Sequence, residues 1–213
     1  MTTDPITAAK LVTREVRTGS RDGKPTKSTV ARRTYSTDQA DLWDAVTNAE
    51  RLPRWFSPVT GELRLGGQYR IEGNASGVIE ECDEPRFFAL TWVFDEQVSW
   101  VRVALTPAED GTTLEIAHEA IIDDFWDEYG PGAGGVGWDL ALLGLGTYLD
   151  TGAELDPEEV MTFTFKPEGT EFVRISAADW AGAAISDGDD PVAAKAASER
   201  TIAFYTTSPE APQ

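Results

Sequence analysis

The sequence predicts an α+β fold in which a twisted antiparallel sheet packs against one long helix. Between residues 68 and 120, short segments of alternating apolar and polar residues are separated by turn signals. The segment from Gly134 to Asp150 has apolar residues over most of a helical surface, and Gly152 is a suitable helix stop. A meander of strands followed by a single long apolar helix indicates that the helix lies across the sheet.

Each predicted strand has one apolar face. Tyr69 and Ile71 alternate with polar neighbours, and RFFALTWVFD, residues 86–95, is apolar on one whole face. Turn signals such as EDG, residues 109–111, separate the segments. One buried face is typical of an antiparallel meander. The inward positions predicted in this way are Tyr69, Ile71, Phe88, Leu90, Trp92, Phe94, Val101, Val103, Leu105, Leu114, Ile116, His118 and Ala120.

Two helices are predicted between the first strand and the meander. The first strand is expected over TKSTVARRTYS, residues 26–36. Thr37 or Asp38 is a suitable cap for the helix that follows. A second short helix is expected to carry Trp55 and Phe56, because two adjacent large rings are not expected in a solvent-exposed loop.

The chain is divided into three parts. Residues 1–26 are expected to be a solvated basic arm, residues 27–152 a folded domain, and residues 153–213 a helical extension with a disordered tail, SPEAPQ. Asp156-Pro157 and Asp190-Pro191 are helix starts, which predicts two antiparallel helices in the alanine-rich part. The apolar contacts between them are expected from Phe172, Ile175, Trp180, Ile202, Phe204 and Tyr205.

The composition argues against several classes of partner. The 213 residues carry a formal net charge of −19, and residues 37–150 hold six Lys/Arg against twenty-two Asp/Glu, so nucleic acid would be repelled. No apolar run approaches the roughly 18 residues of a membrane span, and the first residues lack signal-peptide features. We therefore expect no membrane association and a cytoplasmic location, which agrees with the single cysteine, Cys82.

Several motifs have competing interpretations. Gly130 to Gly135 matches G-x-G-x-x-G in form, but no strand leads into it and no parallel strand is predicted after it, so dinucleotide binding is not expected. Gly144 and Gly146, inside the long helix, indicate either close backbone approach or empty space. The acidic segment at residues 123–128 is either a solvated loop or a source of acid-base carboxylates.

His118, the single histidine, lies on the apolar face of its strand. It is either a hydrogen-bonded core residue or a group used in catalysis or ligand recognition. One histidine without a cysteine partner cannot form a typical zinc site, so no metal is expected. Asp139 is a charge inside an apolar helix and must reach the rim of the sheet or pair with a buried group.

The aromatic residues allow two readings. They either fill a solid core or line a cavity between the sheet and the long helix. The rings in question are Trp55, Phe56, Tyr69, Phe88, Trp92, Trp100, Trp126 and Trp138.

Five motifs follow one another along the chain: WDAVTNAERLPRWF, LRLGGQYRIEG, GVIEECDEPRFFALTW, LTPAEDGTTLEIAHEA and GVGWDLALLGLGTYL. Their order resembles the START/birch-pollen-allergen superfamily, called SRPBCC, over residues 27–152. Within it the chain is most similar to the group named after the C-terminal domain of the activator of heat-shock-protein-90 ATPase. The resemblance implies a helix-grip fold, in which a curved sheet wraps a long helix and leaves a hydrophobic cavity.

For function, the resemblance implies binding of a small hydrophobic molecule, with no cofactor. Trp55 and Phe56 would lie at the cavity mouth, Trp92 and Trp138 would supply stacking walls, and Tyr69 and His118 polar contacts. Phe88 and Leu142 would add apolar surface.

Two alternatives stay open. One is a cyclase-like or hydrolase-like enzyme with His118 as general base, assisted by Asp139 or Tyr69. The other is an interaction module that acts on an ATPase partner. The helical extension could cover the sheet, cap the cavity or form a homodimer contact.

Overall fold

The structure is a computed structural model that describes residues 4–207. The SPEAPQ tail, for which the sequence predicts disorder, lies outside these residues. One antiparallel sheet has the strand order β1-β2-β8-β7-β6-β5-β4-β3. Its strands are β1 (Thr13–Arg21), β2 (Lys24–Tyr35), β3 (Val59–Gly61), β4 (Gln68–Ile71), β5 (Ser76–Asp83), β6 (Phe87–Phe94), β7 (Gln97–Ala108) and β8 (Gly111–Ile121).

The helices lie before, within and after the run of strands. They are α1 (Pro5–Lys10), α2 (Gln39–Thr47), α3 (Asp124–Tyr129), α4 (Gly132–Thr151), α5 (Pro157–Thr162), α6 (Pro167–Ser186) and α7 (Pro191–Thr206), with 3₁₀ turns at Leu52–Arg54 and Phe163–Phe165. The curved antiparallel sheet and the long α4 confirm the predicted α+β, helix-grip fold.

Local chemistry fixes the ends of the helices. Asp38 Oδ1 accepts a hydrogen bond from the main-chain nitrogen of Asp41 at 2.8 Å and caps α2. Asp156 and Asp190 cap α5 and α7, and each precedes a proline, as the sequence predicts. Gly152 ends α4 in the left-handed conformation, with φ 67°.

The N-terminal residues are not a solvated arm. Residues 13–21 form the edge strand β1, which pairs antiparallel with β2 from Thr13↔Arg32 to Arg21↔Lys24. Asp22 and Gly23 make the two-residue turn between them, with φ 53° and 77°. An Asp-Gly pair between strands is a strong hairpin signal, so the sequence itself contains the information for this turn.

Two further segments differ from expectation. The acidic segment is a short helix, α3, and Asp123 caps it by accepting a hydrogen bond from the main-chain nitrogen of Trp126 at 3.0 Å. The second short helix is reduced to the 3₁₀ turn Leu52–Arg54, and Trp55 follows that turn as its cap. Gly130 and Pro131 precede α4, and Gly132 to Gly135 form its first turn. All strand pairs within residues 4–207 are antiparallel, so the strand arrangement of a dinucleotide site is not found there.

A buried ion pair joins the two ends of the chain to α4. Asp139 is fully buried and accepts hydrogen bonds from Arg14 Nε at 2.7 Å, from Trp180 Nε1 at 3.1 Å and from the Ser176 hydroxyl. Burial raises the pKa of the Asp139 carboxyl, and the Arg14 charge together with the hydrogen bonds acts in the opposite direction. Asp139 therefore pairs with a buried group, one of the two possibilities that the sequence left open.

Arg14 extends this network. Its guanidinium also donates to the carbonyl oxygens of Ala9 and Val12 and to the Asp179 carboxylate. The network thus connects α1, β1, α4 and α6, because each supplies at least one of its atoms.

We expect Asp139→Ala to lower the free energy of unfolding by about 3 to 5 kcal/mol, because it leaves the Arg14 charge buried without a partner. Asp179→Ala is the control, since it removes the exposed carboxylate on the same guanidinium and should cost less than about 1 kcal/mol. Urea unfolding followed by tryptophan fluorescence measures both. Equal losses in the two variants would contradict a dominant role for the buried pair.

Glycines let other groups approach α4 closely, one of the two possibilities the sequence left open. A Cβ atom at Gly144 would lie 2.8 Å from the Trp55 carbonyl oxygen, and one at Gly146 would lie 2.5 Å from Arg33 Nη2. At Gly135 it would lie 2.3 Å from the Trp180 ring. The glycines are required because α4 contacts the sheet, the loop after α2 and α6 at different points.

We expect Gly135→Ala to lower the free energy of unfolding by about 1 to 3 kcal/mol, because the methyl group overlaps the buried Trp180 ring. Its neighbour Gly134 has nothing within 4 Å of an added Cβ. Gly134→Ala should therefore leave stability unchanged or raise it by up to about 1 kcal/mol, the helix preference of alanine. Thermal or urea unfolding of the two variants tests the difference, and loss of stability in both would contradict the packing argument.

Candidate ligand-binding cavities beside the long helix

A cavity of about 440 Å³ lies between the sheet and α4. Its walls come from buried side chains of β7 and β8 and from the face of α4 that carries Trp138, Ala141 and Leu142. The rings therefore do not fill a solid core. Among the residues that the sequence predicted as ligand contacts, this first cavity is lined by Trp55, Phe56, Tyr69, Phe88, Trp92, Trp138 and Leu142.

The polar residues of the first cavity mark its opening. The side chains of Asp44 and Arg64 are 49% and 72% exposed, and Cys82 and Glu84 are also exposed. All four line the cavity. The opening thus lies between the end of α2, the loop after β3 and the turn between β5 and β6.

Trp55 and Phe56 line this cavity from the segment that follows the 3₁₀ turn. Their ring centroids are 5.5 Å apart, with the planes tilted by 34°. Trp55 Nε1 donates to the carbonyl oxygen of Ala45 at 3.0 Å, which anchors the indole to α2. Both rings line the cavity, and their predicted place at its mouth and their contact with a ligand stay predictions.

Three of the wall residues direct a polar group to a protein partner. Besides Trp55, Tyr69 donates its hydroxyl to the Thr91 carbonyl oxygen at 2.8 Å, and Trp138 Nε1 donates to His118 Nδ1 at 3.1 Å. Burial raises the pKa of Tyr69, so its hydroxyl stays protonated. The first cavity therefore offers mainly carbon surface, because these polar atoms are already bonded.

His118 belongs to a directional hydrogen-bond chain. Its Nδ1 accepts from Trp138, so its Nε2 carries the proton and donates to Ser99 Oγ at 2.8 Å. Ser99 in turn donates to the carbonyl oxygen of Trp92 at 3.2 Å. Burial lowers the His118 pKa to about 4, so the ring is neutral at neutral pH.

A second cavity, of about 640 Å³, lies on the other side of Trp92 and Trp138. These two indoles, with ring centroids 5.2 Å apart, line both cavities, as does Phe56. His118 lines the second cavity and is not among the lining residues of the first. The site predicted from the sequence is therefore divided, with seven of its residues at one cavity and His118 at the other.

No local sequence pattern indicates the second cavity, because distant segments form it. One side of it is lined by Trp126 of α3 and by two residues of α7, Phe204 and Tyr205. The sequence predicts separate roles for these rings, Trp126 in a core or cavity and the α7 residues in contacts between helices. Trp100, the remaining ring of the predicted set, lies under the Arg21 guanidinium at 4.0 Å and lines neither cavity.

One acidic candidate, Asp123, lines the same cavity as His118, and the others do not. Asp139 lines neither cavity, because its carboxylate is bonded to Arg14 behind α4. Of the acidic segment, Asp123 lines the second cavity. Within residues 4–207, no group of three or more His, Cys, Asp or Glu side chains is arranged to hold a metal ion. No helix in this part of the chain has both the length and the apolar character needed to cross a bilayer.

We expect the stability of the protein to fall as the pH decreases from about 6.5 to 4, in part through His118. Its folded-state pKa is about 4 against an ordinary value of 6.5, so in this window the unfolded state binds the proton more readily. The contribution is complete above pH 6.5 and is lost on acidification, on the order of 2 to 3 kcal/mol.

The variant His118→Gln isolates this contribution, because all carboxylates titrate alike in both proteins. Urea unfolding at a series of pH values should show a smaller loss in the variant than in the wild type. Parallel stability curves for the two proteins would show that His118 does not titrate in this way.

Comparison with known proteins identifies relatives. The model of a family described as "Activator of Hsp90 ATPase homolog 1-like protein" matches residues 36–150. A search of curated proteins finds no match.

Solved structures share the fold. The crystal structure of CalU16 from Micromonospora echinospora is 29% identical, with a TM-score of 0.63, over 84% of this chain and 99% of that chain. Its solution structure gives 31% identity and a TM-score of 0.68, over 83% and 97%. DynU16, a protein of the dynemicin biosynthetic locus, is 18% identical with a TM-score of 0.54, over 60% of this chain and 48% of its own.

Proposed function

The chain belongs to the family of Activator of Hsp90 ATPase homolog 1-like proteins, and from this premise we propose that it binds a small hydrophobic molecule in the first cavity, without covalent chemistry. The observation that carries the proposal is the first cavity itself. Its volume of about 440 Å³ lies within the usual range of ligand sites, and three of its ring residues, Trp55, Tyr69 and Trp138, direct polar groups to protein partners.

The walls indicate the shape of the ligand. Trp92 and Trp138 meet edge to face at 62°, which leaves ring surface toward the cavity. Polar lining residues are exposed at the opening, where Asp44 and Arg64 supply charges of both signs. We therefore infer a ligand with a flat apolar body that enters first and polar groups that stay at the opening.

The same contacts support binding over an enzymatic role for His118. A general base needs a free nitrogen lone pair close to the substrate. Nδ1 of His118 already accepts from Trp138, and Nε2 donates to Ser99. Tyr69, the proposed assistant, lines the first cavity, whereas His118 lines the second. The interaction-module alternative has only the family resemblance and the acidic charge in its support.

The neutral fluorescent probe N-phenyl-1-naphthylamine tests the proposal. We expect saturable binding at one site, with quenching of the tryptophan fluorescence, because the probe would lie beside the indoles. Ala141→Phe places a ring in the first cavity and should weaken binding by at least about tenfold. Ala193→Phe makes the same substitution on the exposed surface of α7 and should leave binding unchanged.

Equal binding by the two phenylalanine variants would show that the probe does not use the first cavity. Absence of saturable binding by the wild-type protein would contradict the proposed function. Circular dichroism and thermal unfolding establish that each variant is folded before the titration.

A further inference from the structure

The second cavity has a different chemical character from the first. Exposed apolar residues are gathered at its opening, where Phe94, Phe125 and Phe204 are 51%, 50% and 56% exposed. Large apolar side chains seldom cluster on a surface without a partner. Deeper in the cavity, the walls include Trp92, Trp126 and Trp138.

The side chains around this opening come from four places in the fold. Phe94 ends β6, Phe125 lies in α3 and Phe204 in α7, while Val98 of β7 is 45% exposed. Tyr129 connects two of the rings, with centroids 5.0 Å from Phe125 and 5.5 Å from Phe204. Helix α7 belongs to the extension beyond the residues that the family model matches, so this cavity depends on the extension.

The charge of the second cavity has one sign. Its lining includes the Asp123 carboxylate and no lysine or arginine. Further carboxylates lie close along the chain, at Asp95 and Glu96 in the turn after β6 and at Asp124 in α3. The first cavity differs, because Arg64 lines its opening.

Two nearby groups do not change this balance. His118 is neutral at neutral pH, because burial lowers its pKa to about 4. Arg200 of α7 donates to the main-chain carbonyl oxygen of Glu128 and does not line the cavity.

We propose that the second cavity binds an amphipathic cation, an aromatic molecule that carries a protonated amine. The aromatic body would lie against Trp92, Trp126 and Trp138, and the ammonium group near the Asp123 carboxylate. Aromatic faces attract cations, and a carboxylate beside them adds a specific charge partner. An anionic ligand would meet Asp123 with no positive group in the lining to compensate it.

The Asp123 carboxylate has capacity for this role. One of its oxygens, Oδ1, accepts the capping hydrogen bond from the main-chain nitrogen of Trp126 at 3.0 Å. A carboxylate has two oxygens that can accept several hydrogen bonds, so an ammonium group can be bound while the cap is kept.

This inference goes beyond the proposed function, because it concerns a second ligand in a separate cavity. Phe56, Trp92 and Trp138 form the boundary between the two cavities. A substitution that fills one cavity should therefore leave the other open, and the two proposals can fail independently.

Three probes with the same ring test the charge preference: 2-naphthylmethylammonium, 2-naphthylmethanol and 2-naphthylacetate. Isothermal titration calorimetry of the full chain at pH 7 measures their affinities. We expect the ammonium compound to bind at least about tenfold tighter than the acetate, with the alcohol between them. Equal or tighter binding of the acetate, or no measurable binding of the ammonium compound, would overturn the proposal.

Asp123→Asn keeps an oxygen that can cap α3 and removes the charge. It should weaken binding of the ammonium compound by about fivefold and leave binding of the alcohol unchanged. Asp38→Asn is the matched control, because Asp38 also caps a helix but lines neither cavity. An equal effect of the two substitutions would show that only the net charge of the protein attracts the cation.

Ala120→Phe locates the site, because Ala120 lines the second cavity from β8. It should abolish binding of the ammonium compound, whereas Ala117→Phe, on the opposite face of the same strand, should not. Ala141→Phe should also leave this binding intact, since it fills the first cavity. Loss of binding in Ala141→Phe with retention in Ala120→Phe would place the cation in the first cavity and overturn the proposal.

Discussion

The buried charge of Asp139 constrains the whole architecture. A carboxylate in the middle of an apolar helix is very costly unless charged and polar groups surround it, and Arg14, Ser176 and Trp180 supply those groups. They come from β1 and from α6, which lie at opposite ends of the sequence. The N-terminal hairpin and the helical extension therefore pack on the same helix as the central sheet and belong to one core.

This network also determines which faces of α4 remain for other purposes. Asp139 and Gly135, one helical turn apart, face α6, where Gly135 makes room for the Trp180 ring. Trp138 and Leu142 lie on another face and line the first cavity. The face of α4 that carries Asp139 packs against the helical extension. The apolar face of α4 can therefore line a cavity.

Hydrogen bonds among the lining residues stabilise the boundary between the two cavities. Trp138 and His118 line the cavities and also take part in a chain of hydrogen bonds that ends at the Trp92 carbonyl oxygen. These bonds hold the boundary between the two cavities in place. The two cavities differ because separate segments line their openings. At the first opening, Asp44 of α2 and Arg64 of the loop after β3 supply charges of both signs, whereas at the second the Asp123 cap of α3 supplies a carboxylate among aromatic rings.

The sequence by itself determined the α+β class, the inward faces of the meander and the extent of α4, because periodicity and helix caps are local properties of the chain. It also brought together seven ring and apolar residues of the first cavity through the family resemblance. Only the tertiary structure showed that Arg14 pairs with Asp139 across 125 residues, and that Trp92 and Trp138 divide the interior so that His118 faces the second cavity. These facts depend on which distant segments pack together, and no spacing within the chain records such contacts.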